Sequence, residues 1–208
     1  KKTGGMEYAF VGLTILIFSS PWWPSATSMV LYLLTDSGLP ENIYFFLGNF
    51  FTPIGLTCWM YAFTEMMYKG SQKVVVAVYV TIGIIFDVFL IYFLIEDPSI
   101  IGELQGVVDV QYKSFTMIYL LIVAITLIVT GILFARQTIK VDDPKVRWRG
   151  RLLLIGFLTF NVSAVLDAFL STNPIGLIII RILLISSMLE VYSSFNMPKF
   201  LERILVRS

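Results

Sequence analysis

Histidine is absent from the 208 residues and cysteine occurs once, as Cys58. Those two shortages exclude an internal disulfide framework and a multi-cysteine metal site, and they remove the commonest metal ligand and proton shuttle. Charge is scarce as well: 14% of the residues are Asp, Glu, Lys or Arg, with a formal net charge of +1. A balance this small gives no reason to expect nucleic acid as a partner. Phosphate-binding glycine loops, GxSxG elbows and TVGYG-type filters do not occur, and no lysine lies mid-span to carry a Schiff base. No enzyme signature and no cofactor motif are found, so no catalytic residue is assigned.

Apolar side chains are present in excess instead. They make up 57% of the chain, 15% of it is aromatic, and the mean hydropathy is +0.84. A soluble domain lies nearer 45–50% apolar and about 25% charged. A chain this small has too little interior to hide the surplus. Lipid is the expected solvent.

Hydropathy predicts an all-α, polytopic integral membrane bundle of about six transmembrane helices over residues 1–196, followed by a juxtamembrane segment over 197–208. The first apolar region, about 6–34, is broken by Pro21-Trp22-Trp23-Pro24. Either flank alone is ~15 residues, roughly 22 Å of helix against a hydrocarbon core of about 30 Å. One broken crossing is expected, with a re-entrant or seven-segment arrangement as the alternative. Further crossings are expected over 43–67, 74–95, 114–134, 152–170 and 175–189. In the second, Pro53 removes a backbone donor and predicts a kink, as Pro21 and Pro24 do in the first. Gly83, Gly131 and Gly156 suit close helix contacts.

Basic residues alternate with acidic ones from loop to loop. Lys69 and Lys73, then Arg136 through Arg151, then Lys199, Arg203 and Arg207 fall on one side; Asp36, Glu41, Glu96, Asp97, Glu103 and Asp109 fall on the other. Positive loops face the cytoplasm, which places both termini inside a plasma membrane. The basic run with Trp148 is expected to lie on anionic lipid. The C-terminal KFLERILVRS reads as an interfacial amphipathic helix, or as the start of a helix continuing into a further domain.

Chemistry is expected where charge enters the bilayer, because such residues are costly and need a partner or a cavity. Asp87, Asp167 and Arg181 all fall in outer halves of predicted helices, as do Asn49 and Asn161. The tight turn 171–174 forces the last two helices together, which makes an Asp167–Arg181 ion pair natural. The set is either helix-locking glue or the lining of an outward-facing polar pocket, where Asp87 holds a cation or proton and Arg181 an anionic group. Glu65 and Glu190 lie near inner helix ends, as headgroup-level carboxylates paired with Lys69 and Lys199 or as an inner gate.

The final third, through KVRWRGRLLLIGF, LDAF, IIIRILLISS and MPKFLERIL, resembles the multi-pass membrane input domains of prokaryotic, particularly archaeal, signalling proteins, such as seven-helix histidine-kinase input regions. The resemblance implies a ligand-sensing or signalling role. It covers about a third of the chain, and the six expected spans depart from the seven-helix pattern. A receptor- or sensor-like domain is therefore the first expectation. An ion- or proton-coupled transporter or channel using Asp87 is the alternative, and a structural or assembly subunit the second. Homo-oligomerisation is compatible with any of them.

Overall fold

The computed structural model describes residues 6–170 and 174–206. Among them the chain is helical almost throughout: α1 (Met6–Phe18), α2 (Trp23–Thr35), α3 (Glu41–Asn49), α4 (Thr52–Met67), α5 (Gln72–Glu96), α6 (Ser114–Thr138), α7 (Pro144–Leu170), α8 (Pro174–Phe195) and α9 (Lys199–Leu205). Five helical stretches are long and apolar enough to cross a membrane: Glu41–Met67, Lys69–Glu96, Phe115–Thr138, Pro144–Asp167 and Ile175–Phe195. The protein is an all-α membrane protein.

The chain forms two compact units, one up to Leu121 and one from Ile122 onward. In the first unit α1 packs on α4, α2 on α3, and α4 and α3 on α5. The α3–α4 stretch is the most enclosed of the five, with 61% of its apolar window buried against 17% for α5. Tyr44, Phe45, Leu56, Trp59 and Phe63 form its core, met by Ile17 and Phe18 from α1 and Phe86 and Leu90 from α5. The rest of α5 presents Val74, Val78, Ile84, Val88 and Ile95 outward, as a helix whose solvent is hydrocarbon can.

Each proline break resolves into a defined geometry. Ser20–Trp22 forms a 3-10 turn between α1 and α2, with Ser19, Trp22 and Trp23 all in right-handed helical conformation. A single 3-10 turn joins the two helices there. The second break falls at Phe50–Phe51, just before Pro53, and divides α3 from α4. The breaks lie against each other: a Cβ on Gly48 would meet the Pro21 carbonyl at 3.7 Å and Pro24 Cγ at 3.4 Å, and one on Gly55 would meet Ile17 at 2.7 Å.

Between α5 and α6 the acidic stretch folds into a β-hairpin, which hydropathy alone does not announce. β1 (Gly102–Gln105) pairs antiparallel with β2 (Asp109–Tyr112), Gly102 opposite Tyr112 and Gln105 opposite Asp109. Gly106 turns the hairpin at φ +72°, a conformation that a side chain makes costly. Lys113 and Glu103 form an ion pair beside it.

In the second unit α7 and α8 pack along their lengths. Gly156 allows the close approach, since a Cβ there would stand 2.8 Å from Val191 Cγ2 and 3.0 Å from the Val191 nitrogen. Gly131 of α6 does the same against Phe157. α7 begins at Pro144, earlier than its apolar run, because Asp143 caps it: the Lys145 N–H donates to Asp143 Oδ1 at 2.8 Å. The basic run is thus helical. The turn 171–173 lies outside the described residues.

Candidate functional site

The β-hairpin end of the first unit is knitted together by hydroxyls. Tyr44 donates to the Val108 carbonyl at 2.8 Å and lies 2.7 Å from Ser25 Oγ. Ser28 donates to the Val107 carbonyl at 2.7 Å while accepting from the Leu39 N–H at 3.0 Å. The hairpin turn is therefore held between α2 and α3, directly over the paired helix breaks. These contacts join residues far apart in sequence, and no local pattern announces them.

Asn49 lies beneath that turn, 1% exposed. Its amide donates to the Phe45 carbonyl at 2.9 Å and approaches Tyr112 Oη at 3.4 Å. Pro53, one turn on, has no N–H, so the Asn49 main-chain carbonyl loses its helical donor.

Asp87 is half-buried, on the side of α5 that carries the buried Gly83, Phe86 and Leu90. Its Oδ1 is buried and has no hydrogen-bond partner. Phe86 stacks on Tyr119 of α6 at 4.0 Å, and the Tyr119 hydroxyl is within electrostatic reach of the Asp87 carboxylate. Three hydroxyls in the same unit, Ser20, Thr52 and Thr116, are also buried without partners, the residues being 0%, 3% and 0% exposed. Each such group costs about 1–3 kcal/mol when nothing answers it. Threonines in apolar helices commonly bond back to their own helix, as Thr14 and Thr64 do here, so nothing in the sequence singled out Thr52 or Thr116.

Asp167, Arg181 and Asn161 belong to the second unit. Arg181 Nη1 donates to Asp167 Oδ2 at 3.2 Å across α7 and α8. Asn161 donates to the Phe157 carbonyl of its own helix at 2.7 Å. Asp87 and Asn49 thus belong to one unit and the remaining three candidates to the other.

Nearer the other helix ends, Glu65 pairs with Lys69 one turn on. Glu190 accepts from Ser186 Oγ at 3.0 Å, and its second oxygen is buried with no partner. Lys145 pairs instead with Glu202 of α9 at 2.8 Å, tying the start of α7 to the C-terminal helix. Arg151 stands over the Trp148 ring at 4.9 Å. A groove of about 520 Å³ runs along the first half of α5, lined by Lys73, Val74, Ala77, Val78, Thr81 and Ile82, none of them a candidate residue.

No protein-family model, no curated protein and no solved structure matches this chain.

Proposed function

We propose that this chain is a receptor- or sensor-like membrane domain with six crossings, in which Asp87 and its surroundings take up a ligand from the outer side. The observation that carries this reading is the half-buried Asp87 on α5, whose Oδ1 is enclosed and has no hydrogen-bond partner. A charged group so placed is retained at a cost, and such residues commonly mark ligand or ion pathways.

Six crossings are supported by how the first four helices pair. α1 lies on α4 and α2 on α3, as one bent helix lies antiparallel along another. The uninterrupted right-handed conformation through Ser19–Trp23 favours a single bent crossing over a re-entrant one. Basic loops inside put the hairpin outside and both termini in the cytoplasm. The 144–151 stretch then rests on anionic lipid, Trp148 and Arg151 serving as its anchor.

The output is assigned to α8 and α9. Phe200 and Ile204 of α9 are both 62% exposed, an apolar edge suited to the membrane surface, and the Lys145–Glu202 pair couples it to α7. The C-terminal likeness to membrane input domains of signalling proteins agrees with this direction of signal. The buried, unanswered oxygen of Glu190 favours the transport alternative, with Asp87 as the ion site and Glu65 or Glu190 on the inner path.

Two measurements on proteoliposomes decide between them: cation and proton flux, and the fluorescence of a label on α9. The sensor reading expects no flux and a ligand-dependent change at α9 that disappears in Asp87→Asn. Flux that requires Asp87 replaces it with the transporter or channel.

A further inference from the structure

One contact brings Asn49 and Asp87 level. A Cβ built on Gly83 of α5 would lie 2.8 Å from Pro53 Cβ on α4, so the two helices touch there. Asn49 lies one turn before Pro53 and Asp87 one turn after Gly83, on helices that run antiparallel through the short Lys69–Ser71 turn. Both residues are therefore displaced to the same side of the contact, by about 6 Å of helix rise. α3 packs on α5 at this end, and each residue lies on the face that carries its helix's half of the Pro53–Gly83 contact.

Oxygens without a hydrogen-bond donor occur at and near that level. Asp87 supplies a carboxylate oxygen with no donor. The Asn49 carbonyl has lost its helical donor to Pro53. Thr116, wholly buried with an unanswered hydroxyl, precedes by one turn the Tyr119 that stacks on Phe86, the residue before Asp87. Thr52, next to Pro53, carries another. No cation of the chain answers them among the described residues of this unit: Lys69 is held by Glu65, Lys113 by Glu103, and Lys73 lies at the opposite end of α5.

We propose that Asp87, Asn49 and Thr116, with Thr52 beside them, form a binding site for one small monovalent cation of the alkali class. Carboxylate, carbonyl and hydroxyl oxygens are hard ligands suited to such an ion, and one carboxylate in apolar surroundings balances one positive charge. A divalent ion requires more: calcium takes six to eight oxygens with several carboxylates, and magnesium a strict octahedron. Among the described residues no three His, Cys, Asp or Glu side chains gather to hold a metal ion. This assignment rests on Asp87 as the ligand-handling residue.

The test is thermal unfolding of the purified protein in lithium, sodium, potassium and choline chloride at constant ionic strength and fixed pH. The expected result is a saturable rise in melting temperature with one alkali cation and none with choline. Asp87→Asn should abolish the rise, and Thr116→Val should raise its midpoint about tenfold, the factor for one lost ligand interaction. A melting temperature equal in all four salts overturns the site, including the case in which it moves only with pH, which makes Asp87 a protonated acid. A cation response that survives Asp87→Asn overturns it too. If that variant fails to fold, the wild-type titration and Thr116→Val still decide. Saturable cation binding with a silent α9 keeps the site and removes the sensor. An organic ligand whose Asp87-dependent shift appears without any cation response does the reverse.

Discussion

Arg181 and Asp167 meet at 3.2 Å across the two arms of the α7–α8 hairpin, each side chain less than a third exposed. The pair satisfies, within one helical hairpin, two charges that hydrocarbon would otherwise reject. It braces the second unit, while Asp87 belongs to the first.

Breaking that brace should be costly. Arg181→Ala leaves the Asp167 carboxylate without this guanidinium, and the expected destabilisation is on the order of 3–5 kcal/mol. Arg181→Met with Asp167→Leu should recover most of it, because removing both charges removes the need for either. Unfolding in detergent, followed by intrinsic fluorescence, measures both. A double variant no better than the single one would contradict the brace.

Close packing at Gly156 makes a second prediction. An added methyl meets Val191 main chain as well as side chain, with 3.0 Å to the nitrogen and 3.1 Å to the Ser187 carbonyl. Neither backbone atom can swing away, so Gly156→Ala should destabilise by about 1–3 kcal/mol. Gly12 has nothing within 4 Å of a built Cβ. Gly12→Ala should leave stability unchanged or raise it by up to about 1 kcal/mol, the helix preference of alanine. Melting temperatures of the two variants therefore move in opposite directions or by clearly different amounts.

Tyr44 tests the hold on the β-hairpin. Tyr44→Phe removes the bond to the Val108 carbonyl and the contact with Ser25, at a cost of about 1–2 kcal/mol. Amide exchange at Val107–Asp109 should quicken, while exchange in the centre of α4 stays slow. Equal exchange in wild type and variant would show that the turn does not depend on this hydroxyl.

Sidedness is open to direct labelling. With buried Cys58 replaced by serine, a cysteine at Gly106 should react with an impermeant maleimide added outside intact cells. One at Asp142 should react only after the membrane is opened. Both positions are exposed, so reactivity reports the side of the membrane. The reverse pattern would invert the proposed orientation.

Much of this architecture is legible in the amino-acid order. The five long spans, both proline breaks and the Asp167–Arg181 pair follow from apolar run length, the missing proline N–H and a turn too short to separate two helices. The α7 start was legible only in part. Its apolar run begins at Leu152, but lysine and arginine favour helix as well as leucine does, so the Asp143 cap and not hydropathy sets where it begins.

Tertiary structure alone decided what meets what. In water an amphipathic stripe tells which face of a helix turns inward, but in lipid the outward face is as apolar as the interior, and that signal fades. The close fit of Gly83 on α5 against Pro53 on α4 is one such meeting, and it fixes which side of α5 turns toward α4. The buried hydroxyls of Thr52 and Thr116 and the seat of the hairpin over Tyr44 depend on packing between distant segments in the same way. Composition and order determined that this chain belongs in a membrane and where it bends; the close approach of particular helix faces determined which oxygens were left buried and unanswered.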